Sequence, residues 1–346
     1  MKADSIGAVA GASPPAMYPA DLADLAVVIV SYQCRELVVA CVDALEAAPT
    51  RCSYEVVVVD NGSSDGTEQA LAGRCRVVQM GRNSGFSVAN NAGFAATDSR
   101  HVLVLNPDTI VDPGALDALV GFLDAHPEVG MVAPRLVNAD GSDQRTARSF
   151  PTPAAAVFGR RSPLTRWFPN NRYSARYLPA DGTGDEGAHP VDWVSGAAMA
   201  VPRSVVDATG GFDEHFFMFW EDADWCRRLH DSGYEVWCEP AARIVHDEGG
   251  TRGKGYSPRL NRAFHTGAYL YWRNHHAPQA WNPLRWLAAA GLGGRAAALM
   301  GVELVRRCVR TRPARGRTGA PNDHTSAPLG ESVRPFAARS YSTESR

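Results

Sequence analysis

The sequence predicts an α/β protein built on a mostly parallel sheet with helices on both faces. Two observations carry this reading. Ala26-Val27-Val28-Ile29-Val30 and Glu55-Val56-Val57-Val58-Val59 are unbroken, largely β-branched apolar runs, as expected of strands buried on both faces of a sheet. Strand, polar loop and helix then recur in that order, the pattern of right-handed βαβ units.

Taken in order, Leu37 to Ala47 has helical spacing and ends before Pro49, and Val77-Val78 reads as a short third strand. Phe86 to Ala96 reads as a helix, and Val102-Leu103-Val104-Leu105 as a strand. The second strand stops at Asp60-Asn61-Gly62-Ser63-Ser64-Asp65-Gly66-Thr67, the later one at Asn106-Pro107-Asp108-Thr109. Ligands of such sheets sit beyond the carboxyl ends of the strands, so both Asp-bearing loops fall at the binding edge. Residues 145–189 read as loop, Ala198 to Pro202 as a strand and Glu221 to His230 as a helix. Tyr234 to Cys238 and Ala242 to His246 read as two short strands, and the chain turns helical from Arg259. The expected organisation is a lead-in over 1–24 and a main domain over 25–256, with halves 25–135 and 136–256. A helical region follows over 257–310, and a Pro-, Gly-, Ser- and Arg-rich tail over 311–346 has the composition of disorder.

Composition excludes several functions. A net charge of −2 offers no basic excess for nucleic acid. The seven cysteines include no CxxC pair, which argues against structural zinc or a closed disulfide framework and for free thiols in a reducing compartment. The first βα loop, Ser31-Tyr32-Gln33-Cys34, lacks the glycines of a dinucleotide fingerprint and the Gly-rich basic loop of nucleotidyl transferases. No secretory signal is read in residues 1–24. Leu284 to Val305 is interrupted by Arg285, Arg295 and Glu303, so a membrane span is not expected. The protein is expected in the cytoplasm, soluble or peripheral on the inner face of the cell membrane. Trp272, Trp281 and Trp286 among the arginines of this region suit either an anionic surface or a helical cap with a solvated basic face.

Four groups of residues can carry chemistry. Asp60-Asn61 can bind a nucleoside or simply form a turn. Asp108 at a strand end can hold Mg²⁺ or Mn²⁺, or close a Pro-containing turn. The acids Glu221, Asp222 and Asp224 can serve the helix dipole. Asp222, however, shares a helical face with Trp225, Cys226 and Leu229, and a partly desolvated carboxylate there suits a general base. His246 is either structural or the partner of Asp108 in a metal site.

An ordered set of segments resembles the family 2, GT-A fold glycosyltransferases, and in particular their bacterial rhamnosyltransferase-like members. The set comprises Val27 to Tyr32, Val59 to Thr67, Asn83-Ser84-Gly85-Phe86, Asn90 to Phe94 and Leu105 to Thr109, then Ser195-Gly196-Ala197, Gly211 to Glu214, Phe219 to Asp224 and the strand ending at His246. The resemblance implies a metal-dependent, inverting transfer of a sugar from a nucleotide diphosphate, with dTDP-rhamnose the leading donor. A glycan or polyprenyl-diphosphate-sugar acceptor in cell-wall or polysaccharide assembly would receive it. It implies that Ser31, Asp60, Asn61, Asn83, Asn106 and Asp108 bind the nucleotide sugar, that Asp108 and His246 hold Mg²⁺ or Mn²⁺, and that Asp222 is the base. Trp193, Ser195, Gly196, Glu221 and Asp224 are the candidates for the acceptor side. Asn106 stands where the family's Asp-x-Asp motif has its first aspartate.

Overall fold

The computed structural model describes residues 22–144, 148–150, 187–247 and 257–310. Residues 1–21 of the expected lead-in, most of the loop over 145–189 and the tail from 311 lie outside the described residues, whereas Ala23 and Asp24 already belong to the first strand.

The first apolar run forms β1 (Ala23–Ser31), followed by α1 (Arg35–Ala47), β2 (Tyr54–Asp60), α2 (Thr67–Leu71), β3 (Arg76–Gln79), α3 (Phe86–Ala95) and β4 (Ser99–Leu105). Strands β3-β2-β1-β4 pair in parallel, with Val27 opposite Val56 on one side and Leu103 on the other. Alternate residues of β1 serve two cores. Leu25, Val27 and Ile29 pack on α1, while Val28 joins Val57, Val59 and Phe94 beneath α3. Gly93 permits this second contact, because a Cβ there would lie 2.3 Å from Val28 Cγ1.

Beyond β4 the sheet becomes mixed. The chain continues through β5 (Thr109–Val111), α4 (Ala115–Ala125), β6 (Val129–Val137), β7 (His189–Pro190), β8 (Ala198–Pro202), α5 (Arg203–Thr209), α6 (Glu221–Asp231) and β9 (Glu235–His246). The spatial order is β3-β2-β1-β4-β8-β6-β9-β5, with β7 on β9. Strand β8 enters antiparallel between β4 and β6, β6 and β9 are parallel, and β5 runs antiparallel on β9. The sheet thus interleaves strands from both sides of residue 135, which itself lies within β6.

The two short strands expected at Tyr234 to Cys238 and Ala242 to His246 are one strand, β9. Its register against β6 jumps from Pro134↔Glu239 to Arg135↔Arg243, so the intervening residues bulge without ending the pairing. At the far end, α7 (Pro258–His275) begins with Ser257 accepting from Leu260 N–H at 3.3 Å and packs Leu270 and Tyr271 into the second core. Helix α8 (Pro283–Arg310) lies along α7.

Candidate active site

The carboxyl ends of β1 and β2 meet at the pair Ser31↔Asp60, both buried. Asn61 N–H donates to Ser31 O at 2.8 Å, and Asp60 Oδ1 accepts from Ser63 N–H at 2.9 Å. The side chain of Asn61 is turned inward. Its Oδ1 accepts from Ser84 N–H at 2.8 Å, and its Nδ2 donates to Gly85 O at 3.1 Å and Asn83 Oδ1 at 3.3 Å. Asn61 therefore braces the 83–85 loop with its amide turned inward. Asn83 shares that duty, accepting from Gly85 N–H at 3.2 Å. Gln33 (φ +53°) ties the first loop to the second through Ser63 and Ser64. Tyr32 is exposed on this rim, a ring available for stacking that residue type alone did not single out.

The second cluster forms where β4, β5 and β9 converge. The pairing Thr109↔His246 places Asp108 beside His246, and Asp247 N–H donates to Asp108 O at 2.9 Å. His246 Nδ1 faces Gln144 Oε1 at 2.8 Å. The orientation of Gln144 is fixed, since its Nε2 donates to His246 O at 2.6 Å and Asn138 Oδ1 at 2.9 Å. Nδ1 is thus the protonated nitrogen, and the other ring nitrogen, Nε2, faces Asp108 Oδ1 at 3.3 Å and Asn106 Nδ2 at 3.5 Å. In the neutral ring, a lone pair and a carboxylate oxygen face each other across that gap, an arrangement a cation relieves. An oxygen and an imidazole nitrogen suit a divalent cation such as Mn²⁺ or Mg²⁺. No cluster of three or more His, Cys, Asp or Glu ligands occurs among the described residues, so a cation here would draw further ligands from the oxygens of a bound diphosphate.

The third cluster begins at α6. Phe219 (φ +72°) and Trp220 (φ +75°) hold consecutive left-handed conformations just before the helix, a strain maintained only by surrounding packing. Helix α7 supplies it. Trp220 lies against Phe264 and Tyr271, and a Cβ on Gly267 would come within 2.5 Å of Phe219 O. This geometry delivers Asp222, whose Oδ2 accepts from Gly196 N–H at 3.1 Å and whose Oδ1 accepts from Ala223 N–H at 2.8 Å. Burial pushes the Asp222 carboxyl above the usual carboxylate range, opposed by those two N–H groups and by the charge of Arg148. The same turn reaches the second cluster, because Ala197 O accepts from Asn106 N–H at 2.8 Å. Ser195 to Ala197 therefore couples the Asp108 loop to Asp222.

The remaining acids divide. Glu221 is buried next to Asp222 in the chain. Asp224 turns into the α6–α7 joint, where it binds Arg228 at 2.9 Å and His275 at 2.8 Å. Its side chain thereby ties α6 to α7. Trp193 is likewise buried, its Nε1–H donating to Ser149 O at 2.9 Å. The guanidinium of Arg148 lies over its ring at 5.1 Å. Arg148 and Gln144 are the site residues that sequence reasoning missed. Neither carries a local signal, since each is placed by pairing with a segment far along the chain.

The model of "Glycosyl transferase family 2" matches residues 26–185. A Mycobacterium tuberculosis N-acetylglucosaminyl-diphospho-decaprenol L-rhamnosyltransferase is 32% identical over 257 residues, covering 70% of this chain and 82% of the relative. The chain belongs to glycosyl transferase family 2. This glycosyltransferase is also 27% identical over 232 residues to a Haloferax volcanii hexosyltransferase of low-salt glycan biosynthesis, covering 66% of this chain and 68% of that one. Among solved structures, GalNAc-T7 with UDP, GalNAc and Mn²⁺ superposes with a TM-score of 0.51 at 15% identity, covering 76% of the glycosyltransferase and 53% of the other chain. That likeness establishes the GT-A fold.

Proposed function

We propose that this glycosyltransferase moves L-rhamnose from dTDP-rhamnose to a hydroxyl of a polyprenyl-diphosphate-linked glycan, with inversion at the anomeric carbon. The observation that carries the reading is the single turn, Ser195 to Ala197, that hydrogen-bonds both Asp222 and the Asp108 loop. A base and a diphosphate-binding loop held in fixed relation are what an in-line displacement needs. The 32% identity to a rhamnosyltransferase that acts on a decaprenyl-diphosphate sugar supports the choice of donor and acceptor.

In this reading Ser31 and Asp60 face the nucleoside, and Asn61 with Asn83 holds the loop that closes it. Asp108 and His246, with Asn106 beside them, hold Mg²⁺ or Mn²⁺, which when bound neutralises charge on the diphosphate leaving group. Asp222 accepts the proton of the acceptor hydroxyl as its oxygen attacks the anomeric carbon and the bond to the diphosphate oxygen breaks. Gly196 N–H and Ala223 N–H fix the carboxylate for that transfer. Ser195 and Glu221 border the acceptor side. Peripheral contact with the inner face of the cell membrane brings the enzyme to its lipid-linked acceptor.

The test is calorimetric binding of dTDP-, UDP- and GDP-sugars with and without Mn²⁺ or Mg²⁺, wild type beside Asp108→Ala. Metal-dependent binding of dTDP-rhamnose, lost in the variant, is expected. Tight binding of a different sugar nucleotide would replace the donor and keep the site. Equal affinity with and without metal in both proteins would remove the role given to Asp108.

A further inference from the structure

Helix α8 packs one face on α7 and leaves the opposite, apolar face uncovered. Two polar contacts tie its inner face to α7. Arg285 Nε–H donates to the Tyr269 hydroxyl at 3.2 Å, and Asn261 Nδ2 donates to Ala296 O at 3.2 Å. Arg285, Leu292, Ala296, Met300 and Glu303 are half-buried and recur at helical spacing on the face turned to α7. The opposite face, with Trp286, Leu287, Ala290, Ala297, Gly301 and Leu304, is exposed and bears no charge. Trp281 and Trp286, 79% and 66% exposed, stand at its beginning. A surface helix of a globular protein turns a polar face outward.

We infer that α8 is an in-plane hydrophobic anchor whose outer face is immersed in the interfacial layer of an anionic phospholipid leaflet. Three observations select this occupant. Tryptophans at one end of an apolar face suit the headgroup boundary, where an amphipathic ring has both apolar and wet surroundings. The helix carries five arginines against one glutamate, and that glutamate, Glu303, is on the inner face, so no carboxylate opposes an anionic surface. Arg295 is exposed at the edge of the apolar face, where a side chain can reach phosphate while its stem stays in the apolar layer. The helix has the length and composition to cross a bilayer. Its inner face nevertheless binds α7 near both Arg285 and Ala296, and α7 is packed into the water-soluble core, so α8 lies in the surface.

The anchor also sets a height. Helix α7, between anchor and core, holds the Phe219–Trp220 loop through Gly267 and grips Asp224 through His275, so the lipid surface and Asp222 are joined by one rigid connection. The benefit to transfer rests on the lipid-linked acceptor proposed above, whereas the anchoring itself does not.

The experiment is flotation of the full chain with vesicles of phosphatidylcholine, alone or mixed with phosphatidylglycerol, at low and high salt. The wild type is compared with a variant carrying Trp286→Glu and Leu287→Glu. Slow donor hydrolysis, which does not involve α8, is measured on both proteins to show that the variant folds. Wild type is expected to float best with mixed vesicles and to keep most of its binding at high salt. The variant is expected to lose binding on the order of tenfold with donor hydrolysis unchanged. Absence of wild-type flotation, or binding abolished by salt alone, overturns the anchor. A concentration-dependent dimer that the same variant dissociates, without vesicle binding, assigns the face to a second copy and also overturns it. A wild type that floats but hydrolyses no donor sinks the proposed function and leaves the anchor standing.

Discussion

Burial draws the Asp222 carboxyl toward its protonated form, whereas the role proposed for it requires the ionised one. The sign of its pH dependence follows. Turnover should fall on acidification with an apparent pKa above the ordinary aspartate value of about 3.9. Arg148→Ala should move that limb further toward neutral pH, because removing a nearby positive charge disfavours the ionised form; a kcat–pH profile of both proteins decides it. Linkage gives a second outcome at the same atom. A carboxyl with a raised folded-state pKa contributes stability below its unfolded pKa and loses it as pH rises through the folded value. Asp222→Asn should therefore melt at a higher temperature than wild type at pH 7, with the gap closing toward acid. It should bind donor normally and lose on the order of 10² or more in turnover. Retention of a tenth of the rate would dismiss Asp222 as the base.

Elements place these side chains, and the joint between α6 and α7 is the most consequential. Burial alone would raise the Asp224 carboxyl, but the His275 contact and Arg228 outweigh it and hold the carboxyl below its usual range. Its stabilising effect is present above the unfolded pKa and lost as pH falls through the folded one. Asp224→Ala should cost about 3 kcal/mol in urea unfolding at pH 7, since it leaves the buried His275 imidazole without its carboxylate and Arg228 held only by Thr209 O and Gly211 O. Gly267→Ala, which forces a Cβ against Phe219 O, should lower kcat while leaving donor affinity unchanged, separating loop geometry from donor binding. The sequence made the strands β1, β2, β4 and β8 legible because unbroken apolar runs have one reading. It hid β6, where Gly130 and Pro134 argue against a strand. Gly130 is needed because a Cβ there would meet Tyr234 Cβ at 2.6 Å, a contact no local pattern reveals. At the candidate site, the sequence singled out Asp108, Asp222 and His246, and the fold brings Asp108 beside His246 and links both to Asp222 through Ser195 to Ala197. The inward turn of Asn61 depends on the 83–85 loop, and the hold of α7 on Asp224 depends on His275, 51 residues further on.

Across the whole molecule, the sheet order fuses the two expected halves. Strand β8 sits between β4 and β6, and β9 between β6 and β5, so neither half owns a complete sheet. Separate expression of 25–135 and 136–256 should yield no folded fragment by circular dichroism, and residues 22–247 should unfold in a single calorimetric transition. The strained pair Phe219–Trp220 belongs to this scale as well, because what holds it comes from later in the chain. A ribosome delivers β1 through β9 before it releases Gly267, Tyr271 and His275. While the sheet is already capable of closing, the loop that aims Asp222 has no clamp. The sheet edge at Ser31 and Asp60 can thus form before the Phe219–Trp220 loop is held. Completion of α7 is then the step in synthesis that fixes this loop and the start of α6.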